Sequence, residues 1–133
     1  MNLNNKGFTL IELIATIALL AVIAIISFVS INGVVNQSKV NDCESLVMSI
    51  KSAAKEYVSD RRYSLSNRND LNINAETLIN GKYLSGPIIN PFDKGNIDAR
   101  NINITITLKE DFSANTVTIF NGSNEIKCEN GVW

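Results

Sequence analysis

Few side chains in this sequence can do chemistry, and their types narrow what that chemistry is. Histidine is absent from the 133 residues. That excludes a Ser–His–Asp triad, an imidazole metal ligand and an imidazole pH switch. The two cysteines, Cys43 and Cys128, cannot build a Cys-rich zinc or iron–sulfur site by themselves. Asp93 and Asp98 are the nearest carboxylates to a turn-rich stretch, too few for a hard-cation cage. No metal or cofactor is therefore expected. Nor is an enzyme: there is no nucleophile–base pair or phosphate-binding loop, and the scattered carboxylates have no spacing that argues for acid–base work. Arg61, Arg62 and Arg68 could touch DNA or another anionic polymer, but they read better as a solvated loop. A net charge of −1 gives no whole-chain basic field for nucleic acid. The ionisable group in the most demanding position is Glu12, at the head of an apolar run.

The elements that must position these groups follow from how apolar residues are distributed. They make up 45% of the chain, and charged residues make up 19%, below the usual 25% or so. The average hides a segregation. After Lys6 and Glu12 no charged residue occurs until Lys39. Leu13 to Ile31 is apolar except for Thr16, Ser27 and Ser30, with no proline. Such a run is long enough to cross a bilayer as a helix, which takes about 20 residues. The apolar core of a cleavable secretory signal is shorter, roughly 7–15 residues, and is followed by a break that is missing here.

A second helical pattern covers about residues 34–59. Val40, Cys43, Val47, Ile50, Ala54, Tyr57 and Val58 recur at three- and four-residue steps, widened by Leu46 and Ala53. This predicts an amphipathic helix with one buried face. No proline separates the two patterns, so they predict one helix from about Phe8 to Ser59, roughly 75–80 Å long at 1.5 Å per residue. A domain of this size cannot cover it. Its first half must be solvated by lipid or by copies of itself.

The residues before the apolar run, Lys6-Gly7-Phe8-Thr9-Leu10-Ile11-Glu12, resemble the recognition site of type IV prepilins and related pseudopilins. The resemblance extends over about residues 6–26. It implies that a membrane-embedded prepilin peptidase cuts between Gly7 and Phe8 and methylates the new amine of Phe8. Met1 to Gly7 would then be a leader, 8–33 a transmembrane and filament-core half-helix, and 34–133 a globular head. Lys6 would favour a cytoplasmic leader. Gly7 has no Cβ, so a peptidase can approach the bond in extended conformation.

Glu12 carries the demanding part of that reading. A carboxylate at bilayer depth costs about 2.5–3.5 kcal/mol on insertion scales and needs a partner. The macrodipole of the helix's first turn favours an anion and makes the residue tolerable in a lone subunit. In a packed bundle the resemblance implies that its counter-ion is the cleaved amine of a neighbouring Phe8, so that Glu12 sets subunit register. One departure stands out. Many relatives have a proline about two-thirds along the apolar segment, where this chain has Phe28 and Val29. A continuous helix is expected, weakest at residues 30–33 with the Asn32-Gly33 pair.

The rest predicts a small head. Residues 60–74 read as a polar loop. Ala75 to Asn80 reads as a short helix with Asn74 as N-cap and Gly81 just past its end. Gly86-Pro87 and Asn90 to Asn96 are turn signals. Ile102 to Leu108 and Thr116 to Phe120 alternate strictly, Asn121 to Asn124 reads as a hairpin turn, and Glu125 to Cys128 as a last short strand. The apolar face of a three- or four-stranded antiparallel sheet can bury itself on the helical stripe. The fold class is α+β. Three Asn-x-Ser/Thr matches, at Asn36, Asn103 and Asn121, fall within chance for so asparagine-rich a chain.

Cys43 lies on the apolar stripe and Cys128 ends the last strand. The resemblance places the head outside the cytoplasm, where disulfides persist. A Cys43–Cys128 bridge is therefore favoured over two small buried thiols.

The function expected is that of a structural subunit of a type IV pilus or pilus-like filament. Its implied partners are the prepilin peptidase, copies of itself and other pilins, an inner-membrane assembly platform with its ATPase, and lipid before assembly. It would be a single-pass membrane protein first and a cell-surface filament afterwards. The alternatives are a pseudopilin of a type II secretion or DNA-uptake system, and a monomeric membrane-anchored extracellular binding module.

Overall fold

The computed structural model describes residues 7–65, 70–129 and 133, with the backbone alone at 28–30 and 32. The leader up to Lys6, and Arg68, lie outside the described residues. The long helix α1 runs Leu10–Arg61 and is followed by a 3-10 turn at Arg62–Ser64. Then come β1 (Leu71–Asn74), α2 (Ala75–Asn80), β2 (Ile88–Ile89), β3 (Asn96–Ile97), β4 (Ile102–Leu108), β5 (Ala114–Asn121) and β6 (Asn124–Glu125). A long apolar N-terminal helix, a short second helix and a small antiparallel sheet make the fold α+β. The chain divides into two compact units, Met1–Gln37 and Ser38–Trp133.

In the first unit the helix backbone is unbroken through residues 28–33, where no proline removes a donor. The described side chains from Gly7 to Ser27 are all exposed. Leu10–Ser27 has a mean hydropathy of 2.7, and this helix is long and apolar enough to cross a membrane. The hydroxyls of Thr16 and Ser27 are satisfied within the helix. Thr16 Oγ1 donates to the Leu13 carbonyl at 2.8 Å and Ser27 Oγ to the Ile23 carbonyl at 2.9 Å. Such back-bonding leaves neither hydroxyl without a partner in an apolar surrounding.

In the second unit, the stripe Cys43, Ile50, Ala53, Ala54, Tyr57 and Val58 is buried. It forms one core with Ile102, Ile104 and Ile106 of β4 and with Val117 and Ile119 of β5. The alternation of β4 and β5 puts their isoleucines and Val117 on that face and their threonines and Asn103 on the other. The strand order is β1-β4-β5-β6.

Three expectations are corrected. The stretch 60–74 is not all loop: α1 continues to Arg61, and β1 pairs antiparallel with β4, Leu71 opposite Ile106 and Asn74 opposite Asn103. The last strand is shorter than Glu125 to Cys128. The ladder with β5 covers Asn124–Glu125, the Ile126 N–H adds one more bond, to the Ile119 carbonyl at 3.0 Å, and at Cys128 the backbone is out of extended geometry with φ of 56°. The turn region also holds an unforeseen two-stranded ribbon, Ile88 opposite Ile97 and Ile89 opposite Asn96.

Helix α2 begins where its cap requires. The Asn74 side-chain oxygen accepts from the Thr77 backbone N–H at 3.0 Å and from the Thr77 hydroxyl at 2.7 Å, satisfying one of the helix's orphan donors. At the other end Gly81 has φ of −77°, and the left-handed residue is Lys82, with φ of 63°. Glycine is needed at 81 for space: a Cβ there would lie 2.8 Å from the Tyr83 ring. Asn74→Ala is expected to cost about 1 kcal/mol, read as a fall of about 4–8 °C in Tm for a unit of this size. Asn74→Asp keeps the acceptor and should retain most of the stability.

Candidate functional site: the start of the long helix

The residues at the start of α1 form a closed local arrangement. The Thr9 carbonyl accepts from the Leu13 N–H at 3.1 Å, which makes Thr9 the N-cap. Its hydroxyl accepts from the Glu12 N–H at 3.4 Å. The Glu12 carboxylate reaches back and accepts from the Thr9 N–H at 2.9 Å. This is a reciprocal capping box. Two N–H donors that the helix cannot satisfy are occupied, and the anion sits at the positive end of the dipole. Sequence reasoning placed Glu12 in the first turn but missed Thr9 as its partner. The signal was present as Thr9-x-x-Glu12, the spacing of that box.

Just ahead of the cap, Gly7 and Phe8 are outside the helix and exposed, with Phe8 at 86%. A Cβ built on Gly7 would meet nothing within 4 Å, and its backbone is not in the left-handed region. Nothing in the described chain therefore requires glycine at this position. The Gly7–Phe8 bond stands one residue before a fixed helix start, in a non-helical segment open to another protein.

Residues 2–28 match the family model described as the prokaryotic N-terminal methylation motif. The chain carries the type IV prepilin signature. No curated protein and no solved structure matches it. The match covers the N-terminal segment alone and supports a pilin-like prepilin N-terminus. The signature and the apolar helix behind it fit a membrane-anchored prepilin.

The remaining candidates lie in the Ser38–Trp133 unit. Cys43 and Cys128 are joined by a disulfide, Cα to Cα 5.6 Å, and both are buried. Asp93 and Asp98 are used in turns. Asp93 Oδ1 accepts from the Gly95 N–H at 2.8 Å. Asp98 holds Arg100 through Oδ1 at 3.0 Å and Oδ2 at 2.8 Å. The guanidinium's hydrogen bonds, and then the Arg100 backbone N–H, hold the Asp98 carboxyl below the usual range. Among the described residues no group of three or more His, Cys, Asp and Glu could hold a metal.

Two of the three arginines have partners inside the unit. The Arg61 guanidinium lies 4.6 Å from the centre of the Tyr57 ring, a cation–π contact. Arg62 Nε donates to the Asp111 carbonyl at 2.8 Å, with its side chain 3.7 Å from the Asp111 carboxylate. Beside them the Tyr83 hydroxyl donates to Asp60 at 2.9 Å, and that bond raises its pKa above the ordinary tyrosine value. The Tyr83 bond ties the last turn of α1 to the segment after α2, and the Arg62 bonds tie the 3-10 turn to the loop before β5.

Proposed function

We propose that the chain is a structural subunit of a type IV pilus or pilus-like filament. It is held in the membrane as a prepilin, cut between Gly7 and Phe8, N-methylated on Phe8, and polymerised through its apolar helix. Met1 to Gly7 is then the leader, 8–33 the half-helix that passes from lipid to filament core, and 34–133 the surface head. The partners are the prepilin peptidase, copies of this chain and other pilins, and an inner-membrane platform driven by an ATPase. The filament ends outside the cell. A pseudopilin of type II secretion or DNA uptake would share every one of these steps.

The observation that carries this reading is the start of α1. An exposed glycine that its own chain does not need, next to a capped helix whose apolar stretch Leu10–Ser27 is unburied, suits an enzyme that must recognise a bond at a membrane surface. The capping box gives the Glu12 carboxylate a local partner while the subunit is alone, which lowers its cost in lipid. Cleavage creates an amine at Phe8, one residue from the N–H that Glu12 already holds. In the bundle that charge becomes available to Glu12 of a neighbour, and wrong registers leave both charges unpaired.

The test is the mature N-terminus. Intact mass and N-terminal sequencing of protein from cells with the prepilin peptidase should give N-methyl-Phe8 as the first residue. Cells without the enzyme should retain Met1 to Gly7. A mature chain that begins at Met1 in both strains, or near Ser30, overturns the proposal in favour of a membrane-anchored monomer or a conventional signal.

A further inference from the structure

The solvent face of the sheet has a composition that the filament role does not require. Its outward residues are Asn72 and Asn74 on β1, then Asn103, Thr105 and Thr107 on β4, and then Thr116, Thr118 and Phe120 on β5. None is charged. Antiparallel pairing sets Asn74 opposite Asn103 and Asn103 opposite Phe120, so these three form one row. Neighbours in such a row share a face and stand about 4.5–5.5 Å apart. At the Asn74 end the row opens into a cleft of about 460 Å³ lined by Asn72, Ile73, Asn74, Thr77 and Asn103.

The three amides of the cleft are oriented by bonds already made. Asn74 Oδ1 is taken by the N-cap bonds from Thr77, which leaves Nδ2 as its remaining donor. Asn72 Oδ1 accepts from the Thr105 hydroxyl at 2.8 Å, which again leaves Nδ2. Asn103 Nδ2 makes a long bond of 3.4 Å to the Gly122 carbonyl, which leaves Oδ1 as an acceptor. The lining therefore offers Asn72 Nδ2 and Asn74 Nδ2 as donor groups and Asn103 Oδ1 as an acceptor, without formal charge, beside the partly exposed Phe120 ring.

That set discriminates between ligand classes. An anionic polymer would find no cation in the lining, and a divalent cation would find no carboxylate. An apolar ligand would leave the amides unpaired, which burial penalises. A pair of adjacent hydroxyls fits: each accepts from one Nδ2 while one of them donates to Oδ1. The C–H face of the sugar ring that bears such a pair can rest on Phe120, since an aromatic surface with a few placed polar groups is the usual make-up of a small-ligand site. We propose that this cleft and the adjoining Phe120 bind a neutral glycan. The site lies wholly within the Ser38–Trp133 unit, and the proposal stands whether or not the chain polymerises.

The test uses the isotope-labelled mature chain in a detergent without a sugar headgroup. Its side-chain amide resonances are followed by two-dimensional NMR during titration with neutral tetrasaccharides of glucose and of N-acetylglucosamine. A sulfated oligosaccharide serves as the charged control. At least one neutral sugar should shift the Asn72, Asn74 and Asn103 amides together with Phe120, saturating in the millimolar range. Asn103→Ala and Phe120→Thr should each weaken binding roughly three- to tenfold, about what one neutral contact supplies. Thr107→Ala, on the same face but outside the cleft, should bind as wild type. Both test positions are on the outer face, and the dispersion of the spectrum reports whether each variant is folded. If one variant unfolds, the other carries the comparison. The proposal is overturned if no neutral sugar moves these resonances, if Asn103→Ala and Phe120→Thr bind unchanged, or if the sulfated control shifts the cleft more strongly.

Discussion

Opening the Cys43–Cys128 disulfide is expected to lower the stability of the Ser38–Trp133 unit by about 4–5 kcal/mol. The bridge joins residues 85 apart in sequence, so it removes a large loop-closure entropy from the unfolded chain. A domain of this size has only about 5–15 kcal/mol in all. The bond is buried, so reductant should act through unfolding: the chain is reduced in denaturant and refolded with reductant present. The reduced wild type keeps both sulfur atoms in the core and isolates the tether, whereas Cys43→Ala with Cys128→Ala adds the loss of packing. In urea melts the reduced chain should show a lower midpoint. Its m-value should rise, because an untethered unfolded state exposes more surface. Coincident melts for oxidised and reduced protein would refute the tether.

The second large effect concerns assembly, and the capping box makes its two contributions separable. Glutamine at position 12 can still close the box with Thr9 but carries no charge. On the proposed assembly, Glu12→Gln should therefore leave the helix start intact and abolish filaments, because the amine of a neighbouring Phe8 would be buried without a counter-ion. Breaking such a pair costs about 3–5 kcal/mol per subunit, more than about a hundredfold in affinity. Thr9→Val does the reverse. It removes the hydroxyl that caps Glu12 and keeps the carboxylate, at a cost of about 1 kcal/mol, and should assemble. Sheared filaments counted by electron microscopy, against equal amounts of membrane precursor, give the comparison. Wild-type filament yield from Glu12→Gln would remove the register role.

Much of this fold was legible because its signals are local. The stripe from Cys43 to Val58 and the alternation of Ile102, Ile104 and Ile106 each repeat often enough to fix an element and its buried face. The Asn74 cap was readable for the same reason, since a side chain bonds to a backbone three residues on. What escaped depends on distant partners. Leu71-Asn-Ile-Asn74 alternates for only four residues, half of them asparagine, a weak strand former. It becomes a strand by pairing with β4, about thirty residues away. The ribbon of β2 and β3 has two residues on each side and no periodicity to detect. Cys128 continues an apparent strand in sequence, yet the φ of 56° there belongs to a chain turning toward Cys43. At the functional site the motif was plain, but a motif read as a recognition sequence hid the ordinary capping pattern inside it.

The sheet ends on one side in β1, with four residues, and on the other in β6, whose two residues cover only Phe120 and Asn121 of β5. An unpaired edge is a template for strand addition, and a long one invites fibrils. In a filament the heads would be held at high local concentration, side by side, for the life of the fibre. An edge as short as β1 gives neighbouring heads little backbone to pair with. On that side the head would be a poor template for cross-β addition, and polymerisation would fall to the helix.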